Sequence, residues 1–149
     1  MDLQQLKSLE TRLKQITETK VENLLAKEIL RNGNDIVQLV RNRWLLGKRP
    51  DGSIIGEYAS FEYEQEKLIK NPSAGGNVDL IDTGSLESKL VVNHIRNSLF
   101  NIFSKDVKAV SIAEKYGLDV YGVTNKEEKE IMFIASKNVM TELFQFVRL

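Results

Sequence analysis

Val78-Asp79-Leu80-Ile81-Asp82-Thr83-Gly84-Ser85-Leu86 decides between two unlike molecules. Its apolar start predicts a strand over 78–81 that Asp82 ends. Thr83-Gly84-Ser85 then predicts a turn that redirects the chain. In an all-β chain the aspartate would belong to an active loop. Between helices the same residues are a structural corner.

The residues outward from this stretch favour the corner. Lys89–Arg96 and Leu99–Ser104 predict two strands, with Val91, Val92, Ile95, Phe100, Ile102 and Phe103 as their β-branched and aromatic content. Their short separation, near Asn97-Ser98, predicts an antiparallel hairpin. Ala109, Ile112, Ala113 and Tyr116 recur at helical spacing, and Gly117 closes that helix. Leu118 to Val123 reads as an extended link. Thr124 and Glu127 form a capping box that opens a last helix to about Phe146, striped by Ile131, Ile134, Ala135, Val139 and Leu143.

Upstream, Leu3, Leu6, Leu9, Leu13 and Ile16 form one helical stripe, which slips at Thr17 to Lys20 and resumes at Val21, Leu24, Leu25 and Ile29. This predicts one long helix over 3–31 with a bent or rotated middle, its two halves facing different partners. Asn32-Gly33-Asn34 ends it. Asp35 and Gln38 predict a capping box for a second helix through Ile36, Val37, Val40, Trp44 and Leu45, which Gly47 stops. Tyr58, Phe61 and Tyr63 suggest extended chain in 53–68. Asn71 to Asn77, with Pro72, Gly75 and Gly76, reads as a flexible arm. The expected class is α+β: a single domain over 1–149, with long terminal helices around a small antiparallel sheet.

Composition bounds the function. The chain has 149 residues, no cysteine and a formal net charge of zero. Disulfides and thiolate metal sites are excluded, and the chain fits a reducing compartment. No strong field is available to attract nucleic acid or an acidic membrane. No apolar run approaches membrane-spanning length, and the polar, periodic N-terminus is unlike a signal peptide.

Asp82-Thr83-Gly84 matches the aspartic-protease triplet. That chemistry needs two aspartates sharing a proton, and one triplet per chain would require a dimer. The apolar pair plus glycine such enzymes carry downstream is here upstream, at Ile54-Ile55-Gly56. Glu62, Glu64 and Glu66, at spacing two, read as one solvated strand face and not as a glycosidase pair. His94 is the only histidine, so a multi-histidine metal site within the chain is excluded. No catalytic, cofactor or metal residues are assigned. Two charged clusters stand out as a candidate subunit interface: Arg41, Arg43, Lys48 and Arg49 around Trp44, then Glu57, Glu62, Glu64 and Glu66.

Several segments together carry a resemblance. Trp44-Leu45-Leu46-Gly47-Lys48-Arg49, Pro50-Asp51-Gly52, Gly56-Glu57-Tyr58, and Tyr63 with Lys67 come first. Leu80 to Leu86 then has the form L-x-D-T-G-x-L, and Lys115 to Thr124 follows. This resembles small virion-morphogenesis and tail-completion proteins of tailed bacteriophages, more narrowly the ring or neck proteins of crAss-like phages. It covers roughly residues 36–124, and the long N-terminal helix departs from it. The resemblance implies a non-enzymatic virion protein in a homo-oligomeric ring around the DNA channel, with a dodecamer as the candidate stoichiometry. Its partners would be portal or other neck and tail proteins, and DNA would only pass through. It would be made in the host cytoplasm and need no cofactor. Two other classes stay open: a small virion-associated hydrolase using acidic residues, and a cytoplasmic helical adaptor.

Overall fold

The computed structural model describes residues 2–96 and 99–148. Its helices are α1 (Leu3–Lys14), α2 (Glu18–Arg31), α3 (Gly33–Leu45), α4 (Phe61–Lys70), α5 (Ser85–Ser88), α6 (Ala109–Tyr116) and α7 (Asn125–Val147). Strands β1 (Leu90–Arg96) and β2 (Leu99–Ser104) pair antiparallel, with Leu90 opposite Ser104 and Val92 opposite Ile102. The fold is α+β, with terminal helices flanking a two-stranded sheet. The hairpin stands as expected, although its turn lies outside the described residues.

The expected long N-terminal helix is two helices. Gln15 and Ile16 fold back onto the carbonyls of Arg12 and Leu13, ending α1. Thr17 then caps α2 by accepting from Lys20 N at 3.2 Å. A threonine hydroxyl satisfies a free helix-start N–H better than it packs mid-helix, so the slip in the stripe is a break. Asn32 joins α2 directly to α3, placing Asp35 inside the first turn. The Asp35/Gln38 box is therefore not formed, and α3 has no side-chain cap hydrogen bond.

Residues 61–70 are helical where extended chain was expected. Ser60 Oγ accepts from Tyr63 N, and Lys70 pairs with Glu66 at 2.5 Å, one turn back. Glu62, Glu64 and Glu66 therefore share no strand face, since alternate residues point to different sides of a helix. Val78–Ile81 is not a strand either. Val78 N donates to Gly56 O and an isolated bridge links Glu57 to Asn77, but Leu80 turns to φ +53°. Leu118–Tyr121 is a 3-10 turn and not an extended link.

The core forms where α3 crosses the hairpin and α6. Val37, Val40, Trp44, Ile55, Val78, Leu90, Ala109, Val120 and Tyr121 are buried together. Trp44 donates Nε1–H to Val120 O at 2.9 Å and meets Tyr121 edge-on, with ring centroids 5.6 Å apart. Burial pushes the Tyr121 hydroxyl up to about 12, and it donates to Ala109 O. Gly47, at φ +63°, ends α3: its N–H reaches Trp44 O while Lys48 N reaches Arg43 O. That paired closure needs a left-handed residue, and an added Cβ there would lie 3.2 Å from Val78 O.

A second cluster, Ile29, Ile36 and Ala135, joins α2, α3 and α7. Buried Glu28 accepts from Asn138 Nδ2 at 2.8 Å, which fixes α2 against α7. The expected capping box opens α7, with Glu127 N donating to Thr124 Oγ1 at 3.0 Å and Thr124 N to Glu127 Oε2 at 2.7 Å.

Asp106 ties the hairpin's end to the corner. Its carboxylate accepts from Ser85 Oγ (2.5 Å), Lys89 Nζ (2.9 Å) and Lys108 N (2.9 Å). Those bonds, Ser85's first, hold its pKa well below the usual carboxylate range. Because the folded value is depressed, its contribution is present above the unfolded value of about 3.9 and is lost as pH falls below it. In acid-titrated unfolding, Asp106→Asn is expected to be less stable than the wild type at neutral pH. The gap should narrow below about pH 4. A gap unchanged down to pH 2 would contradict this role.

Candidate functional site

The stretch Val78–Leu86 does not cross the molecule as a strand. It lines an open cleft of about 570 Å³ together with Tyr58, Tyr63, Lys108, Lys115 and Tyr116. A buried polar centre lies at its base. Lys67, 4% exposed, reaches from α4 to Asp79, 1% exposed, at 2.8 Å, and also donates to Ile81 O. Asp79 Oδ2 accepts from Asn71 Nδ2 at 2.9 Å. Its Oδ1 accepts from Tyr58 OH at 3.2 Å and Ile81 N at 3.0 Å.

This centre explains the corner. Leu80 is left-handed, which costs a non-glycine residue about 1–2 kcal/mol. The bond from Ile81 N back to the Asp79 side chain is a local Asx turn that holds it. Asp82 then emerges exposed, and Gly84 at φ +78° leads into α5. The two aspartates of the stretch are thus unlike. Asp79 is saturated with donors, and Asp82 faces solvent. Burial raises the Tyr58 hydroxyl above its ordinary value, so it stays protonated at neutral pH. This arrangement ties the corner together through Asp79.

The basic cluster acts mainly within the chain. Arg41 Nε donates to Glu87 O at 3.0 Å. Arg43, 11% exposed, pairs with Glu127 at 2.7 Å and donates to Gly122 O. Arg49 holds Asp119 at 2.9 Å and the carbonyls of Ile54 and Ile55. Lys48 forms a backbone bridge to Ile54. Arg43 and Arg49 thus clamp the α3 end onto the segment leading into α7. Their partners are not the acidic run. Glu57 lines the cleft, Glu62 accepts from Ser60 Oγ, and Glu64 lies against Gly76. Arg43→Met is accordingly expected to lower stability by about 1–3 kcal/mol, because it takes the cation from a largely buried carboxylate, which keeps only its bond from Thr124 N, and the guanidinium donor from Gly122 O. Urea unfolding reads this, and an unchanged midpoint would show the pair to be mere surface decoration.

The segment read as a flexible arm forms a turn against the domain. Pro72–Ala74 is a 3-10 turn, Ala74 and Gly76 are buried and Gly75 is exposed. Asn71 Nδ2 donates to Leu45 O at 2.9 Å.

The unsatisfied surface lies elsewhere. α1 has no buried residue, and Leu3 (69% exposed), Leu6 and Leu13 form its bare stripe. It touches the end of α7, where Arg12 donates to Arg148 O. On α7, Phe133 (71%), Met140 and Phe144 are also exposed. The periodicity of 3–16 was legible in the sequence. The slip at Thr17 to Lys20 also marked the two halves as facing different partners, but not that a full break would separate α1 from α2, because a bent helix and two helices show the same slip.

Among the described residues no helix is long and apolar enough to cross a membrane, and no group of three or more His, Asp or Glu could hold a metal ion. No family model matches the chain, and neither a curated protein nor a solved structure matches it.

Proposed function

We propose that the chain is a structural subunit that assembles through its outer helices, and that the assembly is a ring of the head-to-tail connector, neck or tail of a tailed bacteriophage. The observation that carries the reading is α1. A helix of 12 residues is marginal by itself in water, and this one buries none of them. Its bare leucines, with the exposed aromatics of α7, suit a surface covered by another subunit. The resemblance at Leu80–Leu86 supplies the virion setting. Tyr58 and Lys67, which belong to the resembling segments, meet Asp79, just before Leu80, in one buried centre, as suits a structural role for them. In this reading the protein is made in the host cytoplasm and carried in the virion, and DNA passes through the ring without being read.

Native mass spectrometry and particle images of the full chain, alone and with a portal, test it. A closed oligomer of one stoichiometry is expected. A monomer under every condition overturns the proposal.

A further inference from the structure

Where the subunits meet can be argued more closely, resting on the assembly reading above. An apolar groove of about 430 Å³ runs between the hairpin and the start of α7, lined by Val92, Phe100, Ile102, Ile131 and Met132. A smaller hollow of about 200 Å³ continues it past Ile36 and Leu39. Ile29, Ile36 and Ile131 line both. Three exposed acids border this groove: Asp35, Glu128 and Glu130. Lys126 approaches Glu130 at 3.9 Å, and among the described residues neither Asp35 nor Glu128 stands in an ion pair.

α1 has the complementary character. Its stripe is leucine, and the flanking charges are Lys7, Arg12 and Lys14 against the one acid Glu10, which pairs with Lys14 at 2.6 Å. We infer that α1 of one subunit docks in the groove of a second copy, leucines inward and lysines over the acidic rim, as an amphipathic helix in a groove.

Placement gives the contact a direction. α1 touches the end of α7 near Arg148, whereas the groove uses Glu128 to Met132. Those positions are about 25 Å apart along a helix rising 1.5 Å per residue. The α1 contact at Arg148 and the groove therefore lie near opposite ends of α7. A contact of this kind is head-to-tail, and it closes into a ring when the rotation allows or runs into a filament when it does not.

The chain has no cysteine, so single thiols report the contact in the full-length protein. Leu6→Cys and Met132→Cys are prepared separately, mixed and oxidised under mild conditions. The mixture is expected to give about tenfold more two-chain disulfide than either variant alone, because docking raises the local thiol concentration. Asp35→Lys with Glu128→Lys should weaken assembly, and Lys7→Glu with Lys14→Glu in the same chain should restore it in part. Assembly without the mixed disulfide overturns this docking mode and leaves the ring proposal standing. Failure to assemble at all overturns the ring proposal first. A Leu6→Cys/Met132→Cys double variant that cross-links within one chain at high dilution shows α1 folding onto its own groove, and so overturns the exchange between copies.

Discussion

Asp79→Ala is expected to lower the stability of the fold by about 3–5 kcal/mol, the usual cost of stranding one member of a buried ion pair. Lys67 would keep its charge site at the base of the cleft, 4% exposed, with only Ile81 O as acceptor. Tyr58 OH, Asn71 Nδ2 and Ile81 N would lose an acceptor in the same step. Against a total stability of about 5–15 kcal/mol, such a loss leaves a marginal fold. Lys67→Ala should cost a comparable amount by leaving the carboxylate stranded. Replacing both, as Lys67→Met with Asp79→Asn, should recover much of the loss, because no charge is then left buried alone. Chemical unfolding of the three variants decides it. A cost below about 1 kcal/mol for Asp79→Ala would show that water reaches the pair and that the corner is held some other way.

Deleting residues 1–16 is expected to abolish assembly while the rest of the chain stays folded. α1 contributes no buried side chain, and α2 retains its own cap at Thr17. The buried residues Ala26, Glu28 and Ile29 all belong to α2. The stability of the remaining domain should therefore change by less than about 1 kcal/mol, as for surface changes generally. The association constant should fall by about a hundredfold or more, a loss of about 2.7 kcal/mol. Sedimentation reads the assembly, and thermal unfolding reads the fold. A truncated chain that unfolds outright would place α1 in the core. One that assembles like the full chain would remove α1 from the interface.

High salt separates two views of that interface. If the charged clusters around Trp44 and in α4 joined subunits, assembly would weaken steeply with salt. The structure engages Arg43 and Arg49 within the chain, so their screening touches the fold more than the contact. The leucine stripe of α1 answers to apolar burial, which salt does not screen, so salt should weaken the docked contact only by the share that its lysines and the acidic rim contribute.

Local chemistry made some elements legible in the sequence alone. The hairpin followed from Val91, Val92, Ile102 and Phe103, whose shapes fit a pleated surface. The start of α7 followed from Thr124 and Glu127 and the end of α3 from Gly47, while the slipped stripe placed a discontinuity near Thr17 that reads as a bend and is a break. Each depends on residues within a few positions of one another. One failure was local too, and the others have a different cause. Tyr58, Phe61 and Tyr63 read as strand because their spacing does not show that Ser60 would cap a helix. Val78–Ile81 read as strand because nothing local reveals that Lys67 would enter from α4 and hold Asp79 and Ile81 O in a left-handed corner. The clusters of Arg43 and Arg49 read as a surface because their partners, Glu127 and Asp119, lie 84 and 70 positions away. Short-range hydrogen bonding and periodicity thus determined which segments form helices and the hairpin. Long-range charge pairing and burial, which exist only once those segments pack, decided the corner, the clamp onto α7 and the leucine stripe left bare.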